Sequence, residues 1–220
     1  MPIAKNLTEI KKTLPPQVTL VAVSKTKPVH DLMEAYEAGQ RIFGENKIQE
    51  MTDKWEQMPK DIQWHMIGHV QTNKVKYMAP YVSLIHGVDS FKLLKEINKQ
   101  AAKNNRVIDC LLQIYIAEEE SKFGLDEKEL NDILGSDEFK ELKNIKIVGL
   151  MGMATFTESE AQINKEFSNL KKIFDNTKQH TAENCQISIL SMGMSGDYQI
   201  AIENGSTMVR IGSSIFGSRK

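Results

Sequence analysis

The sequence alternates between short apolar runs and longer segments with helical spacing. Eight apolar runs have the length and content of buried strands, at residues 20–23, 41–43, 64–67, 82–85, 107–116, 145–150, 187–190 and 208–211. Helical patterns lie between them at residues 28–39, 47–57, 73–78, 91–103, 127–134, 159–179 and 198–203. Strands separated by helices form βαβ units, so the alternation predicts a parallel sheet.

Eight strands in this order favour a closed (β/α)8 barrel of the TIM type within the α/β class. The alternative is a doubly wound open sheet, whose dinucleotide-binding members carry a Gly-x-Gly-x-x-Gly loop after the first strand. That position instead holds Ser24, Lys25, Thr26 and Lys27. At 220 residues the chain has the size of one α/β domain, so we expect residues 1–220 to form a single barrel.

Charge and composition exclude several classes of partner. The formal net charge is -1, which provides no basic surface for nucleic acid. The sequence contains no continuous apolar stretch of membrane-spanning length and no signal-peptide pattern, so we expect a cytoplasmic protein that does not bind membranes. Cys110 and Cys185 lie outside any metal-binding pattern, and we expect reduced structural cysteines and no metal.

The residues that directly follow the strands are the first candidates for function, because the active site of a parallel barrel lies at the carboxyl ends of its strands. The loops after the last two strands are rich in glycine and serine, including Ser195, Gly212 and Ser213. Such loops hold phosphate groups through backbone N–H groups and hydroxyls, although many of them are ordinary turns.

Lys25 follows the first strand and is a candidate nucleophile. If the strand geometry continues, Lys27 points to the same side, and a second cation together with partial burial favours the neutral, reactive amine. A neutral amine is a good nucleophile toward an aldehyde, so this position suits Schiff-base chemistry. The alternative is a solvated polar turn.

Five ordered segments resemble the pyridoxal phosphate homeostasis protein family, and together they span residues 20–217. They are Ala22-Val-Ser-Lys-Thr-Lys-Pro28, Phe43-Gly-Glu-Asn46, Trp64-His-Met-Ile-Gly68, Leu190-Ser-Met-Gly-Met-Ser-Gly-Asp197 and Gly205-Ser-Thr-Met-Val-Arg-Ile-Gly212. The resemblance implies a fold-type III barrel like that of alanine racemase, without the racemase's C-terminal β domain, and pyridoxal 5′-phosphate (PLP) as the cofactor.

The resemblance also implies a role for each matching residue. Lys25 would form the Schiff base with PLP, and Arg210 would face the pyridine nitrogen. Ser195, Gly212 and Ser213 would bind the phosphate, and Asn46 would lie near the ring. The chain departs from the family's usual pattern at Lys47, His69 and Gly87, where tyrosine, proline and serine are common. None of these three is an implied cofactor contact, and we expect no role for His69.

Arginine opposite the pyridine nitrogen has a chemical consequence. A guanidinium only donates hydrogen bonds, so the ring nitrogen stays unprotonated and the ring is a weaker electron sink. The alternative role for Arg210 is a structural ion pair or a helix cap.

Two functions of different classes are compatible with these features. The first, which we favour, is a non-catalytic PLP-binding protein of PLP (vitamin B6) homeostasis, a monomer with PLP-dependent apoenzymes as its expected recipients. The second is a PLP-dependent amino acid racemase, which needs a second base opposite Lys25 that Tyr198 is not seen to provide. An aldolase that acts through Lys25 without PLP is a third, but it leaves the five segments unexplained.

Overall fold

Eight parallel strands close into one barrel in the computed structural model, which describes residues 2–118 and 123–217. Each strand pairs with the next along the chain, and the last pairs with the first. The closed barrel is confirmed, and the open-sheet alternative is wrong. The strands are β1 (Thr19–Val23), β2 (Ile42–Glu45), β3 (Gln63–Met66), β4 (Leu84–Val88), β5 (Ile108–Gln113), β6 (Ile145–Met151), β7 (Cys185–Met194) and β8 (Met208–Ile211).

Helices connect the strands and form the outer layer. They are α1 (Ile3–Thr13), α2 (Val29–Glu37), α3 (Ile48–Gln57), α4 (Val75–Met78), α5 (Phe91–Lys103), α6 (Glu127–Gly135), α7 (Asp137–Lys140), α8 (Glu160–Thr177), α9 (Tyr198–Glu203) and α10 (Ser213–Phe216), with a 3-10 turn at Thr72–Lys74. Because successive side chains of a strand point to opposite faces, each strand contributes to both an inner and an outer core.

The inner core of the barrel is apolar at its centre and contains Val21, Leu84, Leu111, Val148, Met151 and Met208. The outer core, between the strands and the helices, is larger and includes Ala22 of β1 and Ile85 of β4. Leu84 and Met208 point into the inner core. His86 and Arg210 lie two residues further along the same strands, so they also point inward. The inward-facing side chains therefore change from apolar to polar toward the carboxyl ends of the strands.

Seven of the eight strands differ from their predicted bounds by one to four residues, and the differences in β4 and β7 matter most for the site. The strand β4 begins later than predicted because residue 82 belongs to a turn after α4, in which the Val82 N–H donates to the Met78 carbonyl at 2.9 Å. The strand also ends later, at Val88, which pairs with Leu112. The strand β7 extends to Met194, which pairs with Arg210 of β8, whereas the prediction ended it at residue 190. Glycine and serine in this segment resembled a loop, but pairing with β8 satisfies its backbone groups.

The amino-terminal helix α1 was not predicted, because the sequence there shows only an interrupted amphipathic pattern. In the structure Ile3 and Leu7 are buried against the outer core. The Asn6 side chain donates to the Ile215 carbonyl at 3.0 Å, which joins α1 to α10. Tertiary contacts thus stabilise this short helix against the barrel.

Ser90 caps α5, and its replacement gives a small, defined loss of stability. The Leu93 N–H donates to the Ser90 hydroxyl oxygen at 3.3 Å, as expected of an N-cap serine. We expect Ser90→Ala to lower the free energy of unfolding by about 1 kcal/mol, or Tm by about 2–4 °C. Thermal unfolding followed by circular dichroism tests this. A change in Tm of less than about 1 °C would show that the cap contributes little.

The next observations concern metal sites, membrane-spanning helices and the two cysteines. Over residues 2–118 and 123–217, no group of three or more His, Cys, Asp or Glu side chains is placed to hold a metal ion. Within the same ranges, none of the helices has the length and apolar content needed to cross a bilayer. Cys110 and Cys185 are both buried and form no disulfide, in agreement with their expected structural role.

Candidate cofactor-binding site

Lys25 lies in the turn that follows β1, at the carboxyl end of the barrel. Its strand is bordered by β2 and β8, with Val23 beside Gly44 and Ala22 beside Ile211. The loop that begins at Gly212 is therefore next to the turn that carries Lys25. The half-buried position of this side chain agrees with its predicted place at the barrel mouth.

The strand geometry assumed for Lys27 does not continue past β1. Thr26 has a φ of 64°, in the left-handed region that non-glycine residues seldom occupy, so the chain turns sharply after Lys25. The Lys27 ammonium donates to the Phe216 carbonyl at 3.0 Å. Lys27 therefore joins the β1 turn to the end of α10, and the argument that placed it beside Lys25 by strand alternation is wrong.

A buried ion cluster supports the Lys25 turn from below, and its centre is Lys54 of α3. The Lys54 ammonium donates to the Ser24 carbonyl at 2.8 Å and to the carboxylates of Glu45 and Glu50 at 2.7 Å each. Ser24 donates its hydroxyl to Glu45 at 2.6 Å, and the Thr26 N–H donates to Glu50 at 2.6 Å. Both residues that flank Lys25 are thus held by this cluster, including the strained Thr26.

Glu45 is the member of the cluster whose burial as a charged group is least favourable. Its side chain is fully buried, and its Oε2 atom has no hydrogen-bond partner among the described residues. Burial raises the pKa of the Glu45 carboxyl, while attraction to Lys54 and hydrogen bonds from Lys54 and Ser24 oppose that shift. Lys54 is therefore the group that makes a buried Glu45 carboxylate tolerable. The sequence offered one signal for this cluster: Glu50 and Lys54 have the i, i+4 spacing of a helical ion pair.

The loops after β7 and β8 meet as predicted. The Gly212 N–H donates to the Ser195 hydroxyl oxygen at 3.2 Å, and Ser213 begins α10 immediately afterward. Gly212 also lies close to β1, since a Cβ there would be 3.0 Å from the Val23 carbonyl oxygen. Ser195, Gly212 and Ser213 are thus in one place, next to the strand that leads to Lys25.

Asp197 shapes the β7 loop. Its carboxylate accepts the Met194 N–H at 2.6 Å, and its own N–H donates to the Met194 carbonyl at 3.1 Å. This tight turn exposes Gly196 and ends at Tyr198, where α9 begins. Burial raises the pKa of Asp197, while the Met194 N–H and then the charge of Arg210 oppose the shift.

Arg210 is buried inside the barrel and is held by neutral groups. Its Nη1 donates to the Ser191 hydroxyl oxygen at 2.6 Å and its Nη2 to the Gly152 carbonyl at 3.1 Å. In the part of the chain that the structure describes, it forms no ion pair, and it caps no helix. Burial lowers the pKa of Arg210 to about 10, which leaves it protonated at neutral pH.

Three further polar side chains line the barrel interior beside Arg210, and the sequence did not single them out. Ser191 of β7 is within 3.0 Å of His86 Nδ1, and His86 Nε2 is within 3.0 Å of His65 Nδ1. All three are buried. A period of two along β3, β4 and β7 would have placed them on the inner face, but only if the bounds of β4 and β7 had been known.

Residues 2–220 match the family described as alanine racemase, N-terminal domain. A pyridoxal phosphate homeostasis protein of Aquifex aeolicus (strain VF5) is 40% identical over 202 residues, which cover 91% of this chain and 87% of that protein. This chain belongs to the pyridoxal phosphate homeostasis protein family. The family resemblance predicted from the sequence is thereby confirmed.

Solved structures of the family agree with the fold. PipY of Synechococcus elongatus PCC7942 without PLP is 34% identical, with a TM-score of 0.92 over 98% of this chain and 100% of that chain. The same protein with PLP bound is 33% identical, with a TM-score of 0.89 over the same shares of both chains. Alanine racemase of Bartonella henselae, 18% identical with a TM-score of 0.76, shares the fold over 99% of this chain and 60% of that chain.

Asn46 and His69 lie at the mouth of the barrel in this family member. Asn46 directly follows β2. Its backbone packs so closely on Gly68 that a side chain at position 68 would clash with it. His69 is half-exposed, with Nδ1 at 3.2 Å from the Asp89 carboxylate and its ring against Phe123. These contacts place both residues but assign a role to neither.

The family departures at Lys47 and Gly87 also have defined positions. Lys47 is exposed at the start of α3. A Cβ at Gly87 would be 2.6 Å from the Gly68 carbonyl oxygen, so a serine here requires the Gly68 loop to shift. Glycine at position 87 therefore allows the close packing of the loop after β3 on the end of β4 in this chain.

Proposed function

We propose that this protein holds PLP as a Schiff base on Lys25 and serves intracellular PLP homeostasis. The observation that carries the proposal is Arg210, a buried cation whose protein partners are two neutral acceptors, on the strand beside β1. A buried guanidinium has five N–H donors, and a ligand acceptor placed beside it would complete its hydrogen bonding. The pyridine nitrogen of PLP is such an acceptor.

The other candidate residues at this end of the barrel fit the remaining groups of PLP. The Lys25 amine suits the aldehyde, with which it would condense with loss of one water. Ser195, Gly212 and Ser213 offer hydroxyl and N–H donors to the phosphate, and Asn46 lies at the same end of the barrel. The bound cofactor would supply a conjugated ring that stores the aldehyde in a protected, reversible form.

A non-catalytic role fits the chemistry of the site better than racemisation does. Arg210 would donate to the ring nitrogen of bound PLP and keep it unprotonated, and such a ring would be a weaker electron sink. Racemisation also needs a second base opposite Lys25. Tyr198, the tyrosine beside the β7 loop, has its hydroxyl 3.1 Å from Thr13 Oγ1 at the surface and is thereby directed to α1.

We further propose that residues 1–220 act as one PLP-binding barrel domain, as a monomer in the cytoplasm, and that PLP-dependent apoenzymes receive the cofactor. Membership of the pyridoxal phosphate homeostasis protein family supports this setting. Size-exclusion chromatography with light scattering tests the monomer, and transfer of PLP to an apoenzyme measured by its recovered activity tests the handover.

The purified protein should show the visible absorption band of a PLP Schiff base. Reduction with borohydride should fix the cofactor on the peptide that contains Lys25, as located by mass spectrometry. Addition of L- or D-alanine should give no chiral inversion at an enzymatic rate. A protein that takes up no PLP would contradict the binding role, and rapid inversion of alanine would establish a racemase instead.

A further inference from the structure

Four polar side chains form one connected layer across the barrel interior, from β8 to β3. Arg210 donates to Ser191 at 2.6 Å, Ser191 is 3.0 Å from His86, and His86 is 3.0 Å from His65. The apolar inner core lies directly beneath this layer, since Met208, Ile189 and Leu84 precede its members by two residues on their strands. The layer therefore lies between the apolar inner core and the carboxyl ends of the strands, and its members are buried there.

The direction of the hydrogen bonds in this layer follows from its donors. Arg210 can only donate, so the Ser191 oxygen accepts from it. Among the described residues, the acceptor within reach of the Ser191 hydroxyl proton is His86 Nδ1. His86 then carries its proton on Nε2 and donates it to His65 Nδ1, which leaves His65 protonated on Nε2.

The two histidines remain neutral in this arrangement. Burial lowers the pKa of His65 to about 3. Burial, and then the proximity of His65 and Arg210, lowers the pKa of His86 well below its ordinary value. Arg210 is therefore the cation of the layer, and the Ser191 oxygen accepts from it at neutral pH.

We propose that Ser191, His86 and His65 are positioning residues that hold the Arg210 guanidinium in the orientation required by the cofactor's ring nitrogen. Ser191 and Gly152 each accept from a different terminal nitrogen, and two such bonds fix the plane of the group. Its remaining N–H groups then have set directions. The inference rests on the proposed PLP-binding function. It adds that the contact between Arg210 and the cofactor's ring depends on the connected chain of Arg210 and the three residues behind it.

Binding of PLP labelled with ¹⁵N at the pyridine nitrogen tests this, with the nitrogen chemical shift and the dissociation constant as readouts. The wild-type protein should show an unprotonated, hydrogen-bonded nitrogen. Ser191→Ala and His86→Leu should move that chemical shift and weaken binding about tenfold, the equivalent of one lost hydrogen bond to a charged group. His86→Asn should restore most of both, because the Asn amide oxygen can accept from Ser191 in place of Nδ1.

A matched control separates positioning from stability. Ile85→Val removes a buried methylene on the outer face of the same strand as His86, so it should lower stability without moving the nitrogen chemical shift. An unchanged shift and affinity in Ser191→Ala would overturn the inference while leaving PLP binding intact. Wild-type protein that fails to take up the labelled cofactor would overturn the proposed function itself. If His86→Leu does not fold, Ser191→Ala alone tests the inference, because it removes only one oxygen atom.

Discussion

Replacement of Lys25 by alanine should abolish the borohydride-stable PLP adduct and leave the barrel folded. The side chain lies beyond the end of β1 and is half-buried, so its loss creates no cavity in either core. The ion cluster holds the flanking Ser24 and Thr26 through groups that the substitution leaves in place. Mass spectrometry after reduction measures the adduct, and thermal unfolding checks the fold.

Weak noncovalent binding should persist in Lys25→Ala, since the donors of Ser195, Gly212 and Arg210 remain. Lys27→Ala is the matched control, because Lys27 is a lysine of the same turn whose ammonium bonds to the Phe216 carbonyl. This control should keep the full adduct. If the adduct instead survives in Lys25→Ala and disappears in Lys27→Ala, the nucleophile has been assigned to the wrong lysine.

Replacement of Lys54 by methionine should cause the largest loss of stability, about 3–5 kcal/mol in the free energy of unfolding, since it leaves a buried charge without its partner. Glu45 is fully buried and has Lys54 as its cation. The same change frees the Ser24 carbonyl and Glu50, so the Lys25 turn should loosen and PLP loading should fall. Urea unfolding followed by circular dichroism measures the first effect, and the visible Schiff-base band measures the second.

The pH dependence of the Lys54→Met variant has a definite sign. Without Lys54, the folded-state pKa of Glu45 rises further above its unfolded value, because attraction to Lys54 was opposing the effect of burial. A raised acid pKa means that the folded state binds more protons, so stability is retained at low pH and lost as pH rises through the window above the unfolded pKa. The variant should therefore lose more stability at pH 8 than at pH 5.

The double variant Glu45→Gln/Lys54→Met is the control for a buried charge. It removes both charges, so it should recover most of the stability that Lys54→Met alone loses. Equal loss in the single and double variants would mean that packing of the Lys54 side chain matters and that its charge does not.

Patterns along the chain were sufficient to predict the barrel and to propose several residues of its candidate site. Strand β8 and helices α5 and α9 have the predicted bounds, because apolar runs and caps such as Ser90 are local signals. Lys25, Ser195, Gly212 and Ser213 could be found because the carboxyl ends of parallel strands meet at one end of a barrel. Their assignment to PLP came from the family resemblance and remains a proposal.

The contacts that support the site were decided by the tertiary structure alone. His86 and Ser191 are 105 residues apart in sequence, and Ser24 and Lys54 are 30 apart. No local period relates residues at such separations. The strand β7 ends at Met194 because β8 lies beside it, and a short glycine- and serine-rich segment has no preference strong enough to predict that pairing. Local patterns therefore determined which residues reach the barrel mouth, whereas closure of the barrel decided which buried polar groups hold them there.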